Sequence, residues 1–527
     1  MPRIWPRGSS ALRSWRYQLL AMIAVAGCVL LLRALFSSTH MTVDNSIPTL
    51  HLVDDFIPVP TDPAVVLAQS SLDGVLKRQS TTLAQAVARY SLKAGRPPPP
   101  NFDGWFEFAR KKQCLIDDYD QIQRDFEPFY QLAADQPGYF QAMIDKGQAQ
   151  ILQEAFGLKG KQQEAIGLTA IRIINGKILL PPYRGTTYSS DLPRALRNFA
   201  PFLPDLQFLL NGRDEPRVIF NYRELSAREH ATNLTDEKPF HLSPPYPTAD
   251  FFKNQSGCDL LSKGMGFMSD ESANVAFLRS SSSSDFTTNL WPILSMTKIS
   301  PCFSDILFPG QYHYYLSRWS SKLRKNDIAW ADKKPLLYWR GASNGGRIIG
   351  ENYRLFPRFR LIDLARKHAE LMDVKMTTFV AGHCKEGCDR ERIVAEYNIT
   401  GKVDSKNDVL QYKYALDVDG NTFSGRFLSL LKSGSLVFKS TVFEEYFNDW
   451  LRPYEHYIPV KPDLSDLAQM VEWAIKHDDE ARRIQETGRL FGERVMTDSQ
   501  NDCYLSLVLL EWARLQSYGT KNATAQT

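Results

Sequence analysis

From about residue 330 the chain alternates short apolar runs with longer amphipathic ones, and this alternation limits the fold more than any other feature. LLYW (336–339), TTFVA (377–381), YALDVDG (414–420), SLVFK (435–439) and HYIPV (456–460) read as strands. Between them RFRLIDLARKHAELM (358–372), RERIVAEY (390–397), GRFLSLLKSG (425–434) and FEEYFNDWL (443–451) read as helices, and a long helical tail starts at Leu464. Strands alternating with helices form βαβ units, and these build a parallel sheet. Ligands of such sheets collect at the carboxyl ends of the strands. At one such end LLYW breaks into GASNGGR (341–347), a loop of small residues with Arg340 just before it and Arg347 closing it.

Small residues let a backbone approach an anion, and guanidinium groups grip phosphate oxygens in a fixed fork. The loop has the first property, and Arg340, Arg347 and Arg358 supply the second. At the end of YALDVDG, Ser424 is placed to cap GRFLSLLK, so that the helix amides and Arg426 face out of the strand end. Two anion-binding ends on one sheet edge fit a diphosphate. Asp417-Val418-Asp419 also has the spacing of a metal-binding Asp-x-Asp, in which a divalent ion neutralises a leaving diphosphate. Two aspartates on one face near a strand end are, however, an ordinary strand pattern.

The remainder of the chain is read more coarsely. Arg3, Arg7, Arg13 and Arg16 precede an apolar stretch, Leu19 to Leu32, that continues past Arg33 to Phe36; this predicts a single-pass signal anchor over 17–36 with a cytosolic tail over 1–16. A cleaved signal peptide is the alternative, but no small-x-small site follows the stretch. Residues 37–100 read as a stem ending in GRPPPPNF, 101–325 as an N-terminal, acceptor-side half, 326–515 as a C-terminal half with returning terminal helices, and 516–527 as a flexible tail. Within 101–325, IRIINGKILL (171–180) predicts a hairpin with an Asn-Gly turn, and LQFLLN (206–211) and VIFNY (218–222) predict strands. A net charge of +4 over 527 residues argues against a nucleic-acid partner.

Outside the apolar stretch six cysteines remain, Cys114, Cys258, Cys302, Cys384, Cys388 and Cys503, an even number that suits an oxidising compartment. Asn233, Asn254, Asn398 and Asn522 each head a glycosylation triplet. Both features agree with a lumenal catalytic region, and a short anchor with no retrieval signal points to the Golgi more than the ER. HCKEGC (383–388) suggests zinc, but in an oxidised lumen it predicts a Cys384–Cys388 bridge, or bridges from each cysteine elsewhere.

WRGASNGGR (339–347), DGNTFSGRFLSLLKSGSLVFKS (419–440) and HYIPVKPDLSDL (456–467) closely resemble, in order and spacing, glycosyltransferase family 90, which includes fungal capsule-associated xylosyltransferases and protein O-glucosyltransferases. SDILFPGQYHYY (304–315) and LLNGRDEPRV (209–218) look like further family segments. The resemblance implies an α/β protein of GT-B type, with two Rossmann-like domains facing a cleft. It implies a UDP-sugar as co-substrate, inversion at the anomeric carbon, and no cofactor or catalytic metal. The donor would be UDP-xylose or UDP-glucose and the acceptor a hydroxyl of a glycan or protein, in a fungal capsule or cell wall if the nearer kin are the xylosyltransferases. The alternative is a catalytically inactive lumenal protein that binds glycans or nucleotide sugars. An NAD-type enzyme is disfavoured, because no strand leads into Gly-x-Gly-x-x-Gly.

Carried over by position, the resemblance assigns donor contacts to Arg340, Gly341, Ala342, Ser343, Arg358, Asp419, Ser424 and Arg426, with Arg354 or Arg360 as alternatives to Arg358. It pairs Cys503 with Cys114. Asp214, in Arg-Asp-x-Pro, is implied as the base, with Glu215 next in line. Arg213 and Arg217 beside it predict a lowered carboxylate pKa.

Overall fold

The computed structural model describes residues 72–156, 167–180, 191–221, 287, 289–314 and 328–518, all of them within one compact unit, Phe56–Thr527. The anchor over 17–36 and the sequons at Asn233, Asn254 and Asn522 lie outside the described residues. Among the described residues no helix is long and apolar enough to cross a membrane.

Helices α1 (Leu72–Lys77) and α2 (Leu83–Ala94) occupy the end of the region read as a stem. Thr82 and Gln85 close a capping box at the start of α2. The turn between the helices is fixed to the body of the protein, since Ser80 donates from both its amide and its hydroxyl to Asp117, at 2.6 and 2.8 Å. Next come α3 (Phe102–Lys111), α4 (Asp120–Asp135) and α5 (Tyr139–Ala155). Strands β1 (Leu168–Ile174) and β2 (Lys177–Leu179) make the expected hairpin. Asn175 and Gly176 both take positive φ, 49° and 69°, which a two-residue hairpin turn requires and which these two residue types tolerate best.

Helix α6 (Asp191–Phe199), β3 (Leu206–Asn211), β4 (Leu294–Ser295) and β5 (Ile306–Leu307) complete the first half. Its sheet runs β2-β1-β3-β4-β5. The hairpin and the β1–β3 pair are antiparallel and the other pairs parallel, so the sheet is mixed. VIFNY does not form a strand: Val218 and Ile219 make single bridges to Thr287 and Phe303. Both amides that open this segment, Arg217 and Val218, bind the Asp305 carboxylate, at 2.8 and 2.9 Å, in place of ladder partners.

The second half holds β6 (Lys334–Ala342), α7 (Pro357–Lys367), β7 (Met372–Thr378), α8 (Arg390–Glu396), β8 (Tyr412–Val418), α9 (Phe427–Leu431), β9 (Leu436–Ser440) and β10 (Ile458–Pro459). All of its strands are parallel, in the order β10-β9-β8-β6-β7. The strand after β6 therefore lies to one side of it and the strands after β8 to the other. Side chains alternate across the sheet: Leu337, Trp339, Tyr414 and Leu416 join one core, Tyr338 and Ala415 the other. Strand β7 begins five residues earlier than TTFVA suggests, because Met372 pairs with Leu337 and carries the ladder. FEEYFNDWL shortens to a single 3-10 turn, Asn448–Trp450.

Helices α10 (Leu467–Lys476), α11 (Asp478–Arg494) and α12 (Asp498–Gln516) end the chain. α12 is buried on every side from Gln500 to Leu515 and packs against α3, α4, α5, α6 and β3. Though it carries Asp502, Glu511 and Arg514, it is buried all round and completes the core of the first half, with Glu511 and Arg514 paired to each other. Trp105 Nε1 donates to the Cys503 carbonyl at 2.9 Å, Trp512 Nε1 to that of Gln207 at 2.8 Å, and Cys114 is bridged to Cys503 across 389 positions of sequence.

Candidate active site

The order of connection reverses between the parallel neighbours β6 and β8: the chain leaving β6 goes to β7 on one side and the chain leaving β8 to β9 on the other. In open α/β sheets this switch point is where a crevice opens for a ligand. Here a cavity of about 320 Å³ opens at these strand ends, lined by Arg340, Gly341, Ala342, Arg358, Thr378, Asp404 and Arg426 among others.

Arg358 stands in the first turn of α7, where Pro357 starts the helix with its φ already set. Its guanidinium is buried and joins the two switch-point loops, Nε donating to the Asp419 carbonyl at 2.9 Å and Nη1 to that of Ala342 at 3.0 Å. Gly420 makes room for it, because a Cβ there would lie 2.8 Å from Nη2. Arg426 donates from Nη1 to the Arg340 carbonyl at 2.6 Å. Both guanidinium carbons lie near the Trp339 ring, 5.6 and 5.7 Å from its centre. Burial lowers the pKa of both side chains, that of Arg358 to about 9, and for Arg358 the neighbouring Arg426 charge adds to the effect. Neither makes an ion pair within the described residues. Two adjacent cations, Arg358 buried and Arg426 half-buried, whose hydrogen bonds among the described residues go to carbonyls, make a site short of negative charge, which an anion relieves.

The other residues assigned to the donor hold other places. Arg340 borders the cavity, but its guanidinium binds Asp373, Nη2 to Oδ1 at 2.7 Å, and reaches Asp404 through Nε at 2.5 Å. Gly341 and Ala342 line the cavity with backbone. Ser343 is buried, and its hydroxyl accepts the Val380 amide at 2.9 Å, joining the loops after β6 and β7. Ser424 does not cap α9: the N-cap is Arg426, without a side-chain cap, and the helix runs only from Phe427 to Leu431. The expected row of helix amides is therefore replaced by the arginine pair. Asp419 is buried beneath its loop, where Oδ2 accepts the Val442 amide at 2.9 Å; Asp417 pairs with Lys439 at 3.4 Å. Of the alternatives to Arg358, Arg354 pairs with Glu396 at 2.6 Å, away from the cavity lining.

Asp214 lies in the loop after β3, whose shape Asn211 sets. The Asn211 amide accepts from the Arg213 amide at 2.9 Å and from Arg217 Nε at 3.0 Å, and it donates to the Glu215 carbonyl at 2.6 Å. Arg217 is drawn inward, Nη2 donating to the Gly167 carbonyl at 2.8 Å, and Glu215 is buried. The expectation of a lowered Asp214 pKa is overturned: burial raises it, and the Arg213 charge opposes the rise without cancelling it. A carboxylate with a raised pKa is a better general base at neutral pH than an ordinary one.

Sequence reasoning named no role for Tyr312, whose place follows only from packing. Burial and then the Asp214 charge push its phenol up to about 12. A Cβ on Gly425 would lie 3.0 Å from its ring. Tyr312 therefore bridges the Asp214 loop and the residue next to Arg426.

Among the cysteines, the Cys114–Cys503 and Cys384–Cys388 bridges are both formed, and Cys302 is disulfide-bonded as well. Asn398 is exposed.

Residues 277–526 match the family described as Glycosyl transferase family 90. Protein O-glucosyltransferase 2 of Danio rerio is 32% identical over 179 residues, 34% of this chain and 34% of that protein. Protein O-glucosyltransferase 1 of Homo sapiens is 25% identical over 324 residues, 60% of this chain and 64% of that one. The chain thus spans from about a third to just under two thirds of these relatives' own length. A crystal structure of Anabaena Alr3699/HepE in complex with UDP-glucose aligns over 37% of this chain and 50% of that one, with a TM-score of 0.22 and 8% identity. The arginine pair falls inside the family segment, and Asp214 precedes it.

Proposed function

We propose, on the premise that residues 277–526 belong to glycosyl transferase family 90, that the chain transfers a sugar from a UDP-sugar to a hydroxyl of a protein or glycan. The observation that carries this reading is the pair Arg358 and Arg426, one buried and one half-buried, side by side at the switch point of a parallel sheet, with carbonyls as their hydrogen-bond partners among the described residues. A diphosphate supplies the negative charge that this site lacks, and it leaves as an anion when the sugar is transferred. Asp214 is the proposed base, taking the acceptor proton while the diphosphate departs from the opposite face of the sugar, which inverts the anomeric carbon. Arg426, Arg358 and the backbone of Gly341 and Ala342 hold the donor, without a metal. Arg340 supports the wall of the cavity through Asp404. The two sheets then correspond to the halves of a GT-B enzyme.

The relatives named as O-glucosyltransferases favour glucose as the sugar and protein as the acceptor; xylose and a glycan of a fungal capsule or cell wall are the alternative. The bridged cysteines Cys114, Cys503, Cys384, Cys388 and Cys302 support an oxidising compartment, and together with the apolar segment 17–36 they favour an enzyme of the Golgi or ER, a single-pass type II protein with its catalytic region lumenal.

Calorimetric titration of UDP into the protein tests the donor site. Arg426→Ala should weaken binding by about 2–4 kcal/mol, as for a charge-assisted contact in a desolvated cleft. Unchanged affinity would remove the arginine pair from the reading. Incubation with UDP-glucose and UDP-xylose, scored for hydrolysis or transfer, then identifies the donor.

A further inference from the structure

Behind Arg426 lies a buried row of charged and polar groups that the proposed chemistry does not use. Lys439, at the end of β9, places Nζ 3.4 Å from Asp417 Oδ2 and 3.4 Å from Glu445 Oε2. Glu445 Oε1 is 3.0 Å from His313 Nε2, and His313 Nδ1 accepts the Gly310 amide at 3.0 Å, which leaves Nε2 carrying the proton toward Glu445. Asp417, Lys439, Glu445 and His313 are each at most 6% exposed. The row begins at His313, next to Tyr312, the neighbour of Asp214, and ends at Asp417, which follows Leu416 of the cavity lining.

Its end is the informative part. Asp417 closes β8, and its charge raises the Arg426 pKa against the effect of burial, so the two groups sense each other. They nevertheless form no ion pair. Asp417 Oδ1 is buried, and beside Lys439 it is the Ser424 hydroxyl that eases the cost of its charge. A buried carboxylate that an exchangeable hydroxyl helps to satisfy, and that senses a guanidinium, is a competitor for that guanidinium. Lys439 Nζ stands 3.9 Å from the centre of the Phe427 ring, and Phe427 directly follows Arg426. The ammonium is thus fixed from three sides, by two carboxylates and an aromatic face.

We propose that Lys439 is a positioning residue for the donor site: by holding Asp417 it keeps that carboxylate from capturing Arg426, and so leaves the guanidinium available to an anion. This rests on the reading of Arg426 as a diphosphate ligand. With Lys439 in place, Asp417 and Glu445 share a cation from within the core and the arginine pair keeps its positive excess. Without it, the nearest cation left for Asp417 is Arg426, and an ion pair between them would occupy the diphosphate position.

The test is UDP affinity by calorimetry, with thermal unfolding followed on the same samples. Lys439→Met should weaken UDP binding at least tenfold. Asp417→Asn placed in the Lys439→Met background should restore affinity to within about threefold of wild type, because it removes the competitor, and Lys439→Arg should retain it. A folded Lys439→Met protein with wild-type affinity overturns the proposal, as does a loss that Asp417→Asn fails to repair. If Lys439→Met does not fold, the triple variant Lys439→Met, Asp417→Asn, Glu445→Gln, which carries no charge in the row, makes the same measurement. It should bind UDP as wild type does, and a tenfold loss there overturns the proposal equally. Arg426→Ala is the control on the underlying reading: if it binds UDP normally the donor site itself is misplaced, whereas its failure beside a normal Lys439→Met isolates the error to Lys439.

Discussion

Arg358 Nε donates to the carbonyl of Asp419 at 2.9 Å, so a side chain of the helix after β6 holds the loop that follows β8. Through Nη1 the same guanidinium holds the loop after β6 at Ala342. One residue thereby sets the width of the switch-point crevice and supplies half of its positive charge. Arg358→Met should leave two buried carbonyls short of a donor, at about 1–3 kcal/mol of stability, and should lower UDP affinity by about a hundredfold. Arg358→Lys keeps the charge but not the fork, and should fall between the two. Equal UDP affinity across wild type, Lys and Met variants would show that the crevice does not depend on this contact.

Asp214→Asn keeps the shape of the side chain and removes its basic lone pair. Turnover should fall by about 10²–10⁴-fold with near-normal UDP binding. Because burial raises the Asp214 pKa and the base must be ionised to act, kcat/KM of the wild type should decline as pH falls through a value above the ordinary carboxylate range. A variant within a few fold of wild-type turnover would transfer the role to another carboxylate, with Glu215 tested next.

Burial raises the Asp419 carboxyl from 3.8 to about 7. Between those values the folded chain holds a proton that the unfolded chain has released, so the contribution of this group to stability is complete at low pH and is lost as pH rises through about 7. Asp419→Asn has no such dependence. In urea denaturation the variant should gain on the wild type steadily from about pH 4 to 7 and hold a constant lead above. A pH-independent difference between the two proteins would contradict the buried, protonated state.

Replacing Cys114 and Cys503 by serine removes the link between the segment after α3 and α12 and should cost about 2–5 kcal/mol. The donor cavity belongs to the other sheet, so UDP affinity measured well below the unfolding transition should change less than threefold. A large loss of affinity in a protein that remains folded would mean that α12 reaches the cavity through its packing.

Much of the second half is legible in the sequence. Short apolar runs bounded by helix-period runs specify the β6-to-β10 region, Asn175-Gly176 specifies the β1–β2 hairpin of the first half, and small residues after Arg340 and before Arg426 mark the strand ends where an anion fits. These signals are local: each depends on residues a few positions apart, which is the range over which backbone geometry sets side-chain direction. Tertiary structure alone determined the partners and burial of the charged groups. Arg340 is drawn to Asp373 and Asp404, positions 33 and 64 residues away. Asp214 has its pKa raised although two arginines adjoin it in sequence, because Arg217 turns inward to Gly167 and burial outweighs Arg213. Ser424 loses its capping role because α9 starts only at Phe427. The terminal helix α12 enters the core of the first half, where it meets Trp105 and Cys114. A charge interacts through space with whatever the fold places within a few ångströms and loses whatever water the fold removes, and neither quantity is written in the spacing of neighbouring residues.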